Sequence, residues 1–408
     1  MADPVQDTEP MEEDVEETEA ADAEPVTDLS NSDVTTKYQE ASKIANLAIQ
    51  GVVQQCVAGA RVNDLCKFGD TVIEQRCAQI FRNKVKGVAI AKGIAYPTCV
   101  SVNECVTNNS PLESEADKHE PLKAGDLVKI ELGCHVDYYS AVVAHTVKVG
   151  ADPATPVTGA EADVMLAAYY AAEVAAKTIK AGNTNTQVTE ATKKVAESYG
   201  VKFVAGTQME QITRYGIPGK MIALCSEDKE KEVKFEANEV YGVNVLVSSG
   251  DGKVREQDLR TTVFKRNPNK NYQLKMKAAR YVFNEVNNRF PSLPFSLRAL
   301  ENETQARLGV TECASHELLS SYPVMFASRG SVVAHFRCTV LLLPSGTSKV
   351  TGIEFVPSAF SSEKSVDAET QVILDTVSKK KNRSKKKKKA GAASAAAAAG
   401  EAKAMDEV

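Results

Sequence analysis

The spacing of apolar side chains predicts helices followed by strands in the first part of the chain. After the acidic N-terminus, apolar residues recur every three or four positions, the period of one helix face, and Ser32 or Asp33 offers a cap. A second helix is expected over residues 62–81. Apolar runs rich in β-branched residues at 128–136 and 142–149 then predict strands.

The same order of helices and strands then returns. Helical spacing covers 161–181 and 186–199, and strand-like runs follow at 201–206 and 240–248. This order indicates a twice-repeated α/β unit, although the two halves share too little sequence to define a repeat by themselves. The predicted fold class is therefore α/β (α+β).

Residues 265–325 interrupt this pattern with a basic, helical segment. Its first part carries seven Lys or Arg residues and one acidic residue, Glu285. A rigid, proline-containing break at 291–295 and a further helical stretch follow, before strand spacing returns. We therefore divide the core into a first part at 34–264, the basic insert, and last strands at 326–356.

The two ends of the chain carry strong charge of opposite sign. Residues 1–33 contain thirteen Asp or Glu and no Lys or Arg, whereas residues 379–389 contain nine Lys or Arg. The net charge of the whole chain is only −5, so the average conceals this segregation. Like charge without apolar periodicity predicts a disordered acidic arm at 1–33 and a flexible tail at 357–408.

Cysteine usage and hydropathy exclude several classes of protein. The chain has nine cysteines, an odd number, and no CxxC pair. It shows no secretory leader and no run of about 18 apolar residues, so neither a secreted nor a membrane-spanning protein is expected. These features predict a reducing, intracellular compartment with free thiols and no membrane partner.

Five segments resemble the type 2 methionine aminopeptidases. The basic segment 265–286 is the most specific, and the other four are 95–112, 125–147, 236–254 and 332–344. Within that group, the chain is most similar to the proliferation-associated, growth-factor-receptor-binding family of ribosome-associated pseudo-enzymes. The resemblance covers about 34–356. It implies a pita-bread fold, in which two α/β halves surround a pseudo-twofold axis and the second half carries a helical insert.

The resemblance also implies that the two-metal site of the active enzymes is degraded in this chain. Those enzymes hold two divalent cations with two Asp, one His and two Glu, and direct a further His at the substrate. Oxygen and imidazole ligands suit such ions, whose bridging water becomes the nucleophile. The five ligand positions fall at Glu131, Val142, Met209 or Glu210, Asn244 and Arg337, and the substrate-facing position falls at Asn108.

A permanent cation at Arg337 disfavours metal binding. Two like unit charges 4 Å apart repel by about 4 kcal/mol at an effective dielectric of about 20, and Val142 supplies no donor atom. We therefore expect no metal, no other cofactor and no catalysis. We also expect Arg337 to form an ion pair with Glu131, because both fall at one former site.

The remaining candidates for chemistry are interpreted as structural. His135, which lies near Asp137, and His145 are on predicted strands without a second ligand cluster, so buried or surface histidines are expected. Two serines lack the GxSxG context of a nucleophile, and a glycine-containing turn lacks phosphate-loop spacing, which favours a hairpin turn. Two cysteines six positions apart are expected to be core thiols. The two serines are Ser140 and Ser331, the turn covers residues 248–253, and the two cysteines are Cys99 and Cys105.

Three basic regions are predicted to bind RNA. Clustered Lys and Arg bind phosphate chains, and Tyr272 and Tyr281 are available to stack on bases. The alternative is a solvated helix face or a nuclear address. The predicted residues are Arg82, Lys84, Lys86 and Lys92 in a loop; Lys265, Arg266, Lys270, Lys275, Lys277, Arg280 and Arg289 in the insert; and Lys379, Lys380, Lys381, Arg383, Lys385, Lys386, Lys387, Lys388 and Lys389 in the tail. In the resembling family, the insert contacts ribosomal RNA on the large subunit near the peptide exit.

The sequence thus predicts a monomeric, non-catalytic protein that binds the large ribosomal subunit, other structured RNA and regulatory proteins. The resemblance implies roles in ribosome biogenesis, translation and growth control, in the cytoplasm and in the nucleus and nucleolus. Two alternatives stay open. One is a transcriptional co-repressor or other protein-interaction regulator, and the other is a working metal-dependent methionine aminopeptidase with altered ligands.

Overall fold

The computed structural model describes residues 26–85, 87–152, 154–224 and 231–376. Within these ranges the α-helices are α1 (Ser32–Gln55), α2 (Val62–Cys77), α3 (Gly159–Thr178), α4 (Asn185–Tyr199), α5 (Lys277–Arg289), α6 (Glu303–Ser315) and α7 (Ala368–Asp375). The strands are β1 (Lys92–Val102), β2 (Cys105–Thr107), β3 (Leu127–Val136), β4 (Tyr139–Lys148), β5 (Lys202–Phe203), β6 (Gln208–Ile212), β7 (Pro218–Ala223), β8 (Val240–Ser248), β9 (Val254–Glu256), β10 (Val263–Arg266), β11 (Phe295–Ser296), β12 (Leu319–Tyr322), β13 (Met325–Ala327), β14 (Val333–Leu343) and β15 (Gly346–Lys349). None of the helices in the described ranges is long and apolar enough to cross a membrane.

One large antiparallel sheet joins two similar halves. Its strands lie in the order β1–β3–β4–β14–β8–β6–β7, with β15 paired to β14 and β5 paired to β8. Helices α1 and α2 pack on β1, β3 and β4, whereas α3 and α4 pack on the half that contains β8 and β14. The halves meet where β4 lies beside β14. The predicted repeat of paired helices and strands is therefore the organising feature of the fold.

Each half has its own apolar layer, made by the helix faces that the sequence spacing predicts. On α1, the buried side chains include Ala41, Ala45, Ala48 and Val52, and they pack against β3. Helix α3 is richer in alanine and is buried around most of its circumference, against α4 and the sheet. The small alanine side chains let α3 lie close to its neighbours on several sides.

The basic insert has a separate small core. Helices α5 and α6 pack against a three-stranded sheet in the order β11–β10–β12, around Phe264, Leu274, Val282, Phe295 and Leu319. The insert is therefore not purely helical, and its first strand begins two residues before the predicted boundary at 265. The three strands are four residues or shorter. Strands of this length leave almost no alternating pattern in a sequence.

The predicted acidic arm is wrong for its last residues. Residues 26–33 are described, and Leu29 is buried against Val34 and Tyr38. The cap of α1 is Asn31, whose side-chain oxygen accepts a hydrogen bond from the Asp33 backbone N–H at 2.9 Å. Burial of Leu29 fixes the segment that leads into α1. The acidic composition of this segment gives no sign of that packing.

The predicted flexible tail is also wrong for its first part. Residues 357–376 pack on the second half, with Phe360, Val366, Ile373 and Leu374 against the α3–α4 layer. Asp367 caps α7 by accepting a hydrogen bond from the Thr370 backbone N–H at 2.7 Å. A helix of eight residues gives too few turns for its apolar period to stand out among polar neighbours. The lysine run at 379–389 lies outside the described residues.

The turn at 248–253 is not the predicted hairpin. It joins β8, which lies in the large sheet, to β9, which pairs with β13 in a small separate sheet. Gly252 in this turn has a φ of 77° and lies against the backbone of Phe203. Gly252 therefore lies where the chain passes from one sheet to another. The residue composition of a turn does not distinguish such a connection from a hairpin.

Candidate functional site

Adjacent strands of the large sheet place the former ligand positions in one row. Glu131 on β3 lies opposite Ala144 on β4, and Ala144 lies opposite Arg337 on β14. Arg337 in turn lies opposite Asn244 on β8. Residues in register across a sheet share a face, so these side chains converge where the two halves meet.

Arg337 fills the centre of this row and pairs with two carboxylates. Its Nη1 donates to Glu131 Oε1 at 2.6 Å, and its Nη2 donates to Glu210 Oε1 at 3.3 Å. The side chains of Arg337 and Glu131 are only 13% and 6% exposed, so this is a desolvated pair. Burial would lower the pKa of Arg337, but Glu131 and Glu210 offset that effect and raise the pKa above its ordinary value. The predicted pair with Glu131 is confirmed, and Glu210 adds a second anion.

The polar residues beside this pair have no free ligand atoms. Asn108 accepts from the Tyr96 hydroxyl at 2.6 Å and donates to the Pro323 carbonyl at 2.9 Å. Asn244 Oδ1 lies 2.7 Å from His335 Nε2. Asn244 Nδ2 donates to a backbone carbonyl at 3.2 Å. Each amide side chain is therefore committed to holding the walls of the site.

The residues at this site do not fit a dinuclear metal centre. Val142 is a hydrocarbon, Asn244 is engaged, and both carboxylates already bind the guanidinium of Arg337. In the described part of the chain, no three His, Cys, Asp or Glu side chains form a group that could hold a metal ion. A dication placed here would have to displace a buried cation from its partners against direct repulsion.

The prediction at Met209 or Glu210 is resolved in favour of Glu210. The Met209 side chain is fully buried in the apolar layer of the second half, so its placement at the site is wrong. Glu210 faces the other side of β6, toward Arg337. Successive strand residues point to opposite faces of the sheet. A shift of one residue in the sequence match therefore assigns the ligand position to a side chain in the apolar core instead of one in the cleft.

A cleft of about 140 Å³ remains above the Arg337 cluster. Its walls include Tyr96, Val142, Ile212, Lys265, Leu293 and Tyr322. Lys265 Nζ donates to the Gly216 carbonyl at 2.7 Å, and burial lowers the pKa of this lysine. Lys265, predicted as an RNA contact, thus lies inside the cleft instead of on the open surface.

Buried histidines of the sheet are neutral. His145 lies edge-on against Phe336 and Phe355, and burial together with Lys349 lowers its pKa to about 4. Burial also lowers the pKa values of His135 and His335 to about 4. This agrees with the interpretation of His135 and His145 as structural residues. The other two histidines, His119 and His316, lie outside the large sheet.

The predicted RNA-binding residues of the loop between α2 and β1 are dispersed. Arg82 and Lys84 are exposed. Lys92 is half-buried, and its Nζ donates to the Phe81 carbonyl at 2.8 Å, which fixes the loop. Lys86 lies outside the described residues. The structure therefore leaves two of these cations open to a partner.

Insert cations divide into engaged and open groups. Lys270 pairs with Glu317 at 2.6 Å, and Arg289 pairs with Glu285 at 2.5 Å. Arg266 donates to Asn287 and lies over the ring of Phe283. The open group, which surrounds the start of α5, consists of the exposed residues Lys275, Lys277 and Arg280. Arg280 Nη1 also donates to the Leu274 carbonyl at 3.2 Å, and Arg280 belongs to this group because its guanidinium is exposed and forms no ion pair within the described residues. The ring of Tyr272, predicted to stack on a base, already stacks on His316 with ring centres 3.5 Å apart.

Arg298 is a buried residue that sequence reasoning missed. Its guanidinium pairs with Asp70 of α2 and donates to Ser110 Oγ at 2.8 Å and the Pro111 carbonyl at 3.3 Å. It therefore anchors the insert to the first half. No sequence signal joins Arg298 to Asp70, because 228 residues separate them.

Comparisons with known proteins agree with this architecture. Metallopeptidase family M24 matches residues 36–243. ERBB-3 binding protein 1 from Solanum tuberosum is 40% identical over 359 residues, which is 86% of this chain and 90% of the relative. Proliferation-associated protein A from Dictyostelium discoideum is 41% identical over 84% of this chain and 88% of its own length. The chain is 39% identical to the curved DNA-binding protein of Schizosaccharomyces pombe, over 86% of this chain and 92% of that protein.

A solved structure has the same fold. The thermophilic Arx1 structure superimposes with a TM-score of 0.78 at 29% sequence identity. The match covers 85% of this chain and 99% of the Arx1 chain. The predicted pita-bread fold and the predicted family resemblance are therefore both confirmed.

Proposed function

This chain belongs to metallopeptidase family M24 and, within it, to the family of proliferation-associated and ERBB-3 binding proteins; from that premise we propose that it is a non-catalytic, RNA-binding member. Its target is the large ribosomal subunit and other structured RNA. It acts in ribosome biogenesis, translation and growth control, moving between cytoplasm and nucleolus and contacting regulatory proteins there. The family resemblance supports each of these roles, and the charges described above support the RNA binding.

The observation that carries the non-catalytic part is the position of Arg337. Metal-dependent hydrolysis needs two dications that activate a water between them. At the same place this chain holds a guanidinium bonded to Glu131 and Glu210. Removing that guanidinium from its partners would leave a desolvated positive charge, which is strongly unfavourable. The cluster therefore supports a site that serves structure and not catalysis.

Metal binding and peptide hydrolysis test this part directly. Purified protein is dialysed against manganese or cobalt, the bound metal is counted, and methionine release from a short peptide is measured in the same samples. We expect far less than one ion per chain and no methionine release above the metal-only blank. Stoichiometric metal together with methionine release would show a working aminopeptidase and overturn the proposal.

Open cations of the insert support the RNA-binding part. Lys275, Lys277 and Arg280 are exposed at the start of α5, and no acidic side chain in the described residues lies within 4 Å of their charged groups. Such residues bind phosphates through release of counterions, without base specificity. A relative named as a DNA-binding protein is also consistent with affinity for a phosphate backbone.

Sedimentation with ribosomes at several salt concentrations tests the RNA-binding part. The variant Lys275→Glu/Lys277→Glu/Arg280→Glu should sediment less with the large subunit at low salt. Its binding should also depend less on salt, because each lost phosphate contact reduces the logarithmic salt slope by roughly 0.7–0.9. The matched control Lys180→Glu/Lys202→Glu/Lys234→Glu makes the same charge change at exposed lysines of the second half.

The two variants separate the proposal from its rivals. Loss confined to the α5 variant supports binding through the insert. Equal loss in both variants would indicate attraction by net charge alone. Unchanged sedimentation of the α5 variant would instead favour a protein-interaction regulator, such as a transcriptional co-repressor, whose ribosome contact is incidental.

A further inference from the structure

A second cleft, of about 420 Å³, lies between the first half and the insert. It is distinct from the cleft above the Arg337 cluster, although Leu293 contributes to both. Its walls include Cys77, Lys92, His135 and Arg289. Cys77 itself is buried, at 3% exposed, but it contributes to the wall of this cleft, which is large enough to admit small solutes to the end of α2.

Cys77 has a second thiol as its direct neighbour. Its Sγ lies 3.5 Å from Sγ of Cys134 on β3, and no other two cysteines of the described residues are in such contact. Cys134 is fully buried in the apolar layer of the first half. Both cysteines therefore belong to this apolar layer, but of the two only Cys77 also lines the cleft.

We propose that Cys77 is a site of oxidation by hydroperoxides, with Cys134 as the thiol that resolves the oxidised product into a disulfide. The Cys77 thiolate attacks one oxygen of the hydroperoxide, forming a sulfenic acid and releasing water or an alcohol after proton transfer. Cys134 then attacks the sulfenic sulfur, the S–S bond forms, and its oxygen leaves as water. Two thiols are oxidised and one hydroperoxide is reduced, so atoms and electrons balance.

The electrostatic surroundings select Cys77 as the attacking thiol. The hydrogen bond with Cys134 lowers the pKa of Cys77; Lys92 also lowers it, whereas burial and Glu74 raise it. Burial raises the pKa of Cys134 well above its ordinary value, and it does the same for Cys99. Because the thiolate is the reactive form, oxidation should begin at Cys77.

Geometry favours closure of the pair once Cys77 is oxidised. A disulfide requires the sulfur atoms to approach from 3.5 Å to about 2.05 Å. Cys77 is the last residue of α2, where a small shift disturbs no following helical turn. The disulfide would tie the end of α2 to the C-terminal part of β3 and remove the thiol from the cleft wall.

Mass spectrometry after brief oxidation tests the proposal on the full chain. Reduced protein is treated with hydrogen peroxide, remaining thiols are alkylated, and the protein is digested with trypsin without reduction. Cys77 lies in peptide 77–82 and Cys134 in peptide 130–148, and each peptide has one cysteine. We expect these two peptides, joined and lighter by two hydrogens, as the main cross-linked product.

Single variants identify the roles of the two thiols. In Cys134→Ser, a dimedone-trapped sulfenic acid should accumulate at Cys77, and in Cys77→Ser none should form at Cys134. The internal control is Cys66, which is buried without a thiol partner and lies alone in peptide 62–67. We expect Cys77 to react about tenfold faster than Cys66.

Two results would overturn the proposal. One is oxidation of Cys77 no faster than that of Cys66. The other is a cross-linked product in the wild-type chain that is dominated by a different cysteine pair. The wild-type measurement decides the question by itself if Cys134→Ser does not fold.

Discussion

The Arg337 cluster and the open group at the start of α5 both carry positive charge, but one lies in the interior and the other on the surface. Arg337 is buried between Glu131 and Glu210, with its side chain 13% exposed. Lys275 and Lys277 project from the insert into solvent. In the first region the charge is paired with carboxylates within the fold, although Arg337 Nε has no hydrogen-bond partner among the described residues, and in the second region the charge remains available to a partner.

This difference determines which conditions each region responds to. A desolvated ion pair is little screened by salt, but it is costly to break by removing one member. An exposed cation contributes little to folding, and its attraction to phosphates falls steeply with ionic strength. Stability should therefore respond to substitutions and pH at the buried groups, whereas RNA binding should respond to salt at the insert.

Removing the acidic partner of Arg337 should have the largest effect. Glu131→Leu leaves the guanidinium buried with only Glu210, whose side chain is 45% exposed. We expect a loss of about 3–5 kcal/mol in the free energy of unfolding, measured by urea denaturation. The double variant Glu131→Leu/Arg337→Met removes both charges and should recover most of the loss. Equal losses in the single and double variants would contradict the account of the cluster as a desolvated pair.

Arg298 tests whether the insert depends on the same kind of contact. Arg298→Met leaves Asp70 without its cationic partner, although the Thr98 backbone N–H still donates to it at 2.8 Å. The Asp70 side chain is 16% exposed, compared with 6% for Glu131. We therefore expect about 3 kcal/mol of destabilisation, at the lower end of the range for buried pairs. Hydrogen exchange should show larger loss of protection in α5 and α6 than in α3. Uniform loss across all helices would mean that Arg298 does not specifically anchor the insert.

The sequence anticipates one of these two arginines and not the other. The sequence predicts the pairing of Arg337 with Glu131 because the family resemblance places both at one metal site. Arg298 and Asp70 belong to no shared motif, and only folding brings them together. Long-range pairs of this kind leave no local signature, because ion pairing constrains charge but not spacing along the chain.

Periodicity explains which parts of the fold were predictable. Helices α1 and α3 and strands β3 and β4 are long enough to repeat their apolar spacing several times. Helix α7 and the short strands of the insert are not, and they were missed. At the site, the one-residue choice between Met209 and Glu210 needed the structure, because strand neighbours occupy opposite faces.

A decrease in pH should lower the free energy of unfolding through the buried interior before it affects contacts made by the exposed cations. His145 has a folded-state pKa of about 4, below the usual value of 6.5. Between these values the unfolded chain binds the proton and the folded chain does not, so stability falls as pH decreases. We expect about 2 kcal/mol of loss from this histidine between pH 7.5 and 5, since one pKa unit is about 1.4 kcal/mol.

The variant His145→Phe tests whether stability falls as the pH decreases and whether His145 is the cause. Its ring can occupy the space against Phe336 and Phe355 but cannot titrate. The slope of unfolding free energy against pH should be shallower in the variant, while His135 and His335 still contribute. Superimposable pH profiles of the variant and the wild type would assign the acid sensitivity to other groups.

The smallest expected effect is a gain of RNA binding from releasing a paired surface cation. Glu317→Gln removes the partner that lies 2.6 Å from Lys270, whose side chain is 51% exposed. If RNA contacts the insert, Lys270 then joins the open group, and the logarithmic salt slope should steepen by up to about 0.9. Affinity should rise at low salt and return to the wild-type value at high salt, with unfolding unchanged.

A matched substitution removes a carboxylate from the second half of the core. Glu197→Gln on α4 removes an acidic partner of an exposed lysine, Lys193, at 3.8 Å. It makes the same change in net charge, so an equal gain there would reflect overall charge. A gain confined to Glu317→Gln would instead show that paired and open cations of the insert differ only in whether an internal carboxylate occupies them. No gain in either variant would place the RNA contact away from Lys270.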